Sequence, residues 1–191
     1  MNYIQHNKEL DGALYKPEVP VIFTKADSAV LKDHKPFFIP DFMGRVDYET
    51  ELVVRICRLG KSIPQRFAHR YYDAVTVGID FTARDVQDEL KKKGLPWEKA
   101  KAFDNSAVIG KFIGLTPDFN RKSINFSLLK NKEQAQKANS SQMIFSFEKI
   151  IEHISSYFSL NIGDLIFTGT PAGVGECVVG DVLEGFIDEQ N

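Results

Sequence analysis

Apolar and polar positions along this 191-residue chain change period several times, and short β-type runs outnumber helical ones. Residues 21–24, entered through Pro20, and residues 48–56 and 74–80 are rich in β-branched and aromatic side chains, which predicts strands. Further strands are expected at 108–113, 123–129, 164–168 and 181–186, the last two opening on Gly-Asp turn signals. A helix is expected over 83–93: Thr82 can cap it, Asp85 sits three residues on as in a capping box, and Gly94 followed by Pro96 stops it. In a second helix around 145–158, Phe147, Ile150, Ile151, Ile154 and Phe158 recur every three or four residues, a stripe that faces a core and implies no ligand. The intervals between strands are too irregular for a βαβ series, and no G-x-G-x-x-G follows a strand. The pattern therefore predicts an α+β, β-rich fold with mixed, largely antiparallel pairing.

Hydrophobic residues make up 43% and charged residues 26%, which sets the chain among folded globular proteins, and its length fits a single domain over 1–191. Lysines and arginines are interleaved with acids and the formal charge is -2, so no electrostatic footprint for nucleic acid is present. Cys57 and Cys177 form no Cys-x-x-Cys motif, which argues against a zinc knuckle or disulfide framework and for reduced thiols in a cytosol. The first nine residues lack a basic-then-apolar signal, and no run approaches the ~18 apolar residues of a membrane span. The expectation is a cytoplasmic protein with no membrane partner.

Chemistry gathers around acids. Glu49 and Glu51 stand two apart on an expected strand, so both side chains leave the same face with Cα atoms about 6.5–7 Å apart, close enough for one ion. Taken alone, such a pair is more often a solvent-facing feature. Asp80 ends an apolar run just before the capped helix, where a short acid caps, turns the chain or holds a ligand. Three hard oxygen donors without His or Cys would suit Mg²⁺, Mn²⁺ or Ca²⁺ better than zinc. Arg84 opposes the dipole of the first helical turn, which calls for an acidic partner or an anionic ligand, and Gln87 shares its helix face. By pattern Lys101 is a solvated lysine. His6 and Glu9 are one helical turn apart, the spacing at which a carboxylate can orient an imidazole base, although a frayed surface turn has the same spacing.

Five ordered blocks resemble the fumarylacetoacetate hydrolase family, in particular its acylpyruvase and oxaloacetate decarboxylase branch. They are Asn2-Tyr3-x-x-His6-x-x-Glu9; Tyr48-Glu49-x-Glu51-Leu52; the run from Asp80-Phe81-Thr82-Ala83-Arg84-Asp85-Val86-Gln87 through Gly94-Leu95-Pro96-Trp97 to Lys101; Ser141-Gln142-Met143-Ile144-Phe145; and Gly163-Asp164 through Thr168-Gly169-Thr170-Pro171 to Gly175. The resemblance implies a mixed β-sandwich roll of the C-terminal-domain type, a homodimer, and Mg²⁺ or Mn²⁺ on Glu49, Glu51 and Asp80. On the same basis His6 and Glu9 are a catalytic dyad on a mobile lid, Lys101 is catalytic, and Gln87, Lys101 and Thr170 contact substrate. Family members carry a short apolar strand before the Asn-Tyr motif, whereas Met1 stands directly before Asn2 here. The resemblance leads to the expectation of a missing N-terminal strand, which would bear on how the His6 lid sits and would leave a sheet edge unpaired.

The activity implied is divalent-metal-dependent hydrolysis of a C–C bond in acylpyruvate-type 2,4-dioxo acids, with decarboxylation of oxaloacetate as a second reaction at one site. The partner is a small 2-oxo or 2,4-dioxo acid. Two other readings stay open: isomerisation or decarboxylation of hydroxylated dienedioates from aromatic catabolism, and a non-catalytic metal- or anion-binding domain.

Overall fold

A computed structural model describes residues 2–11 and 16–187, so the Met1 start lies outside the described residues. The strands are β1 (Val30–Leu31), β2 (Val46–Tyr48), β3 (Thr50–Ile56), β4 (Tyr72–Asp80), β5 (Thr82–Ala83), β6 (Ala107–Ile109), β7 (Ile113–Gly114), β8 (Asn125–Lys130), β9 (Glu133–Asn139), β10 (Leu165–Phe167), β11 (Gly175–Glu176) and β12 (Leu183–Ile187). The helices are α1 (Ile4–Asp11), α2 (Gln65–Ala68), α3 (Arg84–Lys93), α4 (Glu98–Lys101) and α5 (Phe147–Tyr157). The result is the α+β, β-dominated fold expected, and among the described strands the β1–β6 pair alone is parallel.

The largest sheet runs β1-β6-β4-β3-β10, with β7 paired to the far end of β4. Leu52, Val54 and Ile56 of β3 and Val75 of β4 pack on Ile124 at the start of β8, Phe126 and Ala138 of the β12-β8-β9 sheet, and Phe147, Ile150 and Ile151 of α5. Val53 is equally buried on the opposite face, so β3 is covered on both sides and reads as a continuous apolar run. A second cluster joins Val46 and Tyr48 of β2 to Ile79, Phe81, Ala83 and Leu128.

Several expected elements take a different form. Residues 21–24 form no strand; they border a cavity, and the apolar side chains that suggested a ladder line its wall. The run 108–113 divides into β6 and β7 around Gly110, whose N–H donates to Val77 O and whose missing side chain admits the Val77 carbonyl and the Thr76 hydroxyl. The run 48–56 breaks at Glu49. Thr82 does not cap α3: the N-cap is Ala83, with no side-chain cap, and Thr82 belongs to β5. Gly94 ends α3 as expected, in the left-handed conformation at φ 63, which an L side chain adopts only with strain. Phe158 lies outside α5 and is half exposed rather than part of its core stripe.

β9 has no apolar run to announce it. It forms because Asn131 and Lys132, at φ 53 and 71, make a two-residue turn that folds the chain back onto β8 in register Lys130↔Glu133.

Candidate metal centre

β3 and β4 are antiparallel neighbours until both leave the main sheet at the same level. β2 and β5 continue them into the separate β11-β2-β5 sheet, and Glu49 and Phe81 occupy the two gaps. The Asp80 N–H donates to Glu49 O at 2.8 Å, and the Thr50 N–H leaves the ladder to donate to Gln136 Oε1 at 2.9 Å. This switch turns Glu49, Glu51 and Asp80 toward one point. One carboxylate oxygen from each lies within 4.8 Å of the others, and all three residues are buried.

Cations surround them. Lys101, from the last position of α4, is 3% exposed rather than solvated; its Nζ lies 2.9 Å from Glu49 Oε2 and 2.8 Å from Asp80 Oδ2, and it donates to Thr82 Oγ1 at 2.5 Å. Arg84 finds the acidic partners its position demanded: Nε reaches Asp47 Oδ2 at 2.8 Å and Nη2 reaches Glu49 Oε1 at 2.6 Å. Its Nη1 donates to Gln87 Oε1 at 2.6 Å, which orients that amide. Sequence reasoning missed Lys25, whose Nζ pairs with Asp80 Oδ1 at 2.7 Å and is tethered to the Lys101 carbonyl and Ser106 Oγ. No local signal marks it, since it stands on the irregular segment before β1. Asp47 was also missed, although the demand of Arg84 for a carboxylate pointed toward one.

Burial works against ionisation of Glu49, but Lys101 and Arg84 outweigh it and hold the carboxyl well below its usual range. Glu51 is the reverse case: burial, then Asp80 and Glu49, push it up to about 8, against the single 2.6 Å hydrogen bond it accepts from the Gly169 N–H. Burial depresses the Lys25 ammonium, opposed by Asp80, whereas for Lys101 the attraction of Asp80 and Glu49 exceeds the burial penalty and raises it. The four buried carboxylates (Asp47, Glu49, Glu51 and Asp80) thus meet four cations (Arg45, Arg84, Lys101 and Lys25), but Arg45 and Arg84 both fall on Asp47, and among the described residues Glu51 is the acid with no ion-pair partner. An all-oxygen donor set that includes a buried acid with no ion-pair partner among the described residues fits a hard divalent cation, which Glu49, Glu51 and Asp80 could hold.

α1 brings His6 to the same cavity, buried, with Nδ1 3.9 Å from Glu9 Oε2 and, among the described residues, no hydrogen-bond partner for that nitrogen. The Glu9 carboxylate instead accepts the Gly173 N–H at 3.1 Å. Burial, opposed by Glu49, lowers His6 to about 4, so the imidazole is neutral at pH 7. Asn2 fixes the start of α1: its amide donates to Phe145 O and Thr168 O and accepts from Phe145 N. Thr170 is buried with its hydroxyl accepting from Gln136 Nε2 at 2.9 Å. It stands behind the cavity wall, which Gly169 provides.

The cavity, about 490 Å³, is lined by His6, the three acids, Arg84, Gln87 and Lys101, with an apolar wall that includes Ile22, Phe23 and Trp97. Residues 1–189 match the model of the fumarylacetoacetate hydrolase C-terminal family. The chain belongs to this family. A mitochondrial oxaloacetate tautomerase of Rattus norvegicus is 37% identical over 187 residues, covering 98% of this chain and 84% of that protein. The crystal structure of fumarylpyruvate hydrolase from Pseudomonas aeruginosa in complex with Mn²⁺ and pyruvate superposes with a TM-score of 0.90 at 34% identity, over 97% of this chain and 81% of that one. A 5-carboxymethyl-2-hydroxymuconate delta-isomerase from Mycobacterium smegmatis gives a TM-score of 0.84 at 30% identity, over 98% and 72%. The fumarylacetoacetate hydrolase family is thus one of enzymes, with hydrolases, isomerases and tautomerases among the relatives of this member. No helix among its described residues is long and apolar enough to cross a membrane.

Proposed function

We propose that this protein is a divalent-metal-dependent enzyme that hydrolyses the C–C bond of acylpyruvate-type 2,4-dioxo acids and also decarboxylates oxaloacetate. The observation that carries the reading is the convergence of Glu49, Glu51 and Asp80 on one buried point, with Lys101 between two of them and His6 facing the same cavity. Mg²⁺ or Mn²⁺ held by the three carboxylates would supply Lewis acidity toward the oxygens of a 2-oxo acid.

His6, neutral at pH 7, takes a proton from a water that attacks the distal carbonyl, a contribution of about 10²–10⁴-fold. Closure of the 3.9 Å gap to Glu9 would fix the ring for that transfer. Lys101 places its ammonium where negative charge develops on the departing enolate of pyruvate. Gln87, oriented by Arg84, offers its amide N–H₂ to the substrate carboxylate. Thr170, linked to Gln136, supports the Gly169 backbone that holds Glu51.

A second reading, keto–enol tautomerisation of oxaloacetate, is favoured by the name of the rat relative and uses the same enolate stabilisation without the hydrolytic water. Interconversion of a hydroxylated dienedioate stands behind it, favoured by the mycobacterial isomerase.

Acetylpyruvate hydrolysis, oxaloacetate decarboxylation and oxaloacetate tautomerisation, assayed side by side with and without Mg²⁺, separate these readings. His6→Ala is expected to lower hydrolysis far more than decarboxylation, and equal losses would remove His6 as the base. Asp80→Ala is expected to abolish Mg²⁺ binding; an unchanged calorimetric affinity would remove the ligand set.

A further inference from the structure

The far side of the cavity carries a cation that the chemistry above leaves unused. α3 presents Arg84, Gln87 and Lys91 at intervals of three and four residues, one face of the helix, and all three line the cavity. Arg84 and Gln87 are engaged at the acidic centre. Lys91 lies seven residues beyond Arg84, about 10 Å along the axis. Among the described residues no carboxylate pairs with Lys91; its Nζ lies 5.5 Å from the centroid of the Trp97 ring. Trp97 meets Phe23 with centroids 6.2 Å apart, and Lys101 Nζ lies 5.3 Å from the Phe23 ring. Lys101, Phe23, Trp97 and Lys91 therefore form one continuous wall leading away from the acids. The helix dipole favours basic residues in the last turn of α3 in any case, but of the three lysines there only Lys91 lines the cavity, and Lys93 is paired with Glu89.

We propose that Lys91 is a specificity-determining residue that receives the anionic far end of a substrate whose 2-oxo acid end sits at the acidic centre. The substrate class is a 2-oxo acid whose chain runs along Phe23 and Trp97 and ends in a second carboxylate at Lys91. This rests on the reading of Glu49, Glu51 and Asp80 as the 2-oxo acid end, and its test is independent of turnover.

Trp97 is the chain's only tryptophan, so its fluorescence reports on this wall directly. With Mg²⁺ present, 2-oxosuberate and 2-oxooctanoate, equal in length and differing in the second carboxylate, are titrated against the wild type, Lys91→Gln and Lys91→Arg. The ratio of the two affinities is expected to shift about five-fold toward the monoacid in Lys91→Gln, as for one partly exposed ion pair, and to return in Lys91→Arg. An unchanged ratio, or equal weakening of both probes, overturns the assignment. Failure of both probes to bind the wild type overturns it together with the 2-oxo acid reading. A shifted ratio in a protein that cleaves no 2,4-dioxo acid leaves Lys91 in place and refutes the proposed reaction alone.

Discussion

Glu51 gives the sharpest test of the centre, because among the described residues it is the buried acid of the cluster with no ion-pair partner. Burial and the neighbouring Asp80 and Glu49 raise its carboxyl from 4.5 to about 8, so at pH 7 only about one tenth of cation-free molecules carry it ionised. A cation that needs this carboxylate must displace its proton. Apparent Mg²⁺ affinity is then expected to rise about tenfold per pH unit between roughly pH 6 and 8, about 1.4 kcal/mol per unit, and to level off above. The same shift makes the cation-free fold lose stability as pH climbs from 4.5 toward about 8, because the folded state still holds a proton that the unfolded chain has released. Glu49 acts in the opposite sense: its stabilisation is present above 4.5 and is lost as pH falls below that value. Calorimetric Mg²⁺ titrations at several pH values, in buffers of different protonation enthalpy, read both affinity and proton release. About one proton per ion is expected at pH 7 and almost none at pH 9, and Glu51→Gln should remove the slope. A flat affinity from pH 6 to 8 with no proton released would refute the argument that Glu51 is the group the cation completes.

Two further outcomes follow from the same geometry. Lys101→Met removes the ammonium between Glu49 and Asp80 and should lower turnover by about 10²–10³-fold while circular dichroism stays that of the folded protein. Gly169→Ala should destabilise by about 1–3 kcal/mol in urea unfolding, since the residue sits at φ 103 and a Cβ there would lie 2.6 Å from Asn2 Cβ; it should also weaken Mg²⁺ binding by moving the N–H that holds Glu51.

Local chemistry made much of the fold legible. β3, β4, β8, β10 and β12 stand close to where β-branched and aromatic runs placed them, and α3 and α5 follow their helical periods. What failed did so for tertiary reasons. Residues 21–24 carry a strand's apolar side chains but spend them on a cavity wall, and β9 is a polar segment recruited by a two-residue turn. Thr82 has the right spacing for a cap, yet its hydroxyl interacts with Lys101 and Glu49, because β5 is drawn into a sheet with β2.

The sequence by itself determined that three acids, a histidine one turn from a glutamate, and a lysine after Gly-Leu-Pro-Trp belong together, and it did so through ordered motifs rather than through spacing. Spacing could place Glu49 beside Glu51 on one strand face but could not place Asp80, 29 positions further on. Only the tertiary structure decided that two neighbouring strands leave the same sheet at the same level, which closes all three carboxylates on one point. Long-range packing likewise converted Lys101 from a solvated lysine into a buried partner of Glu49 and Asp80, and brought in Lys25 and Asp47, which no local pattern marks. The reason is physical: burial and charge compensation depend on what packs above and below a residue, and neighbours along the chain carry little of that information.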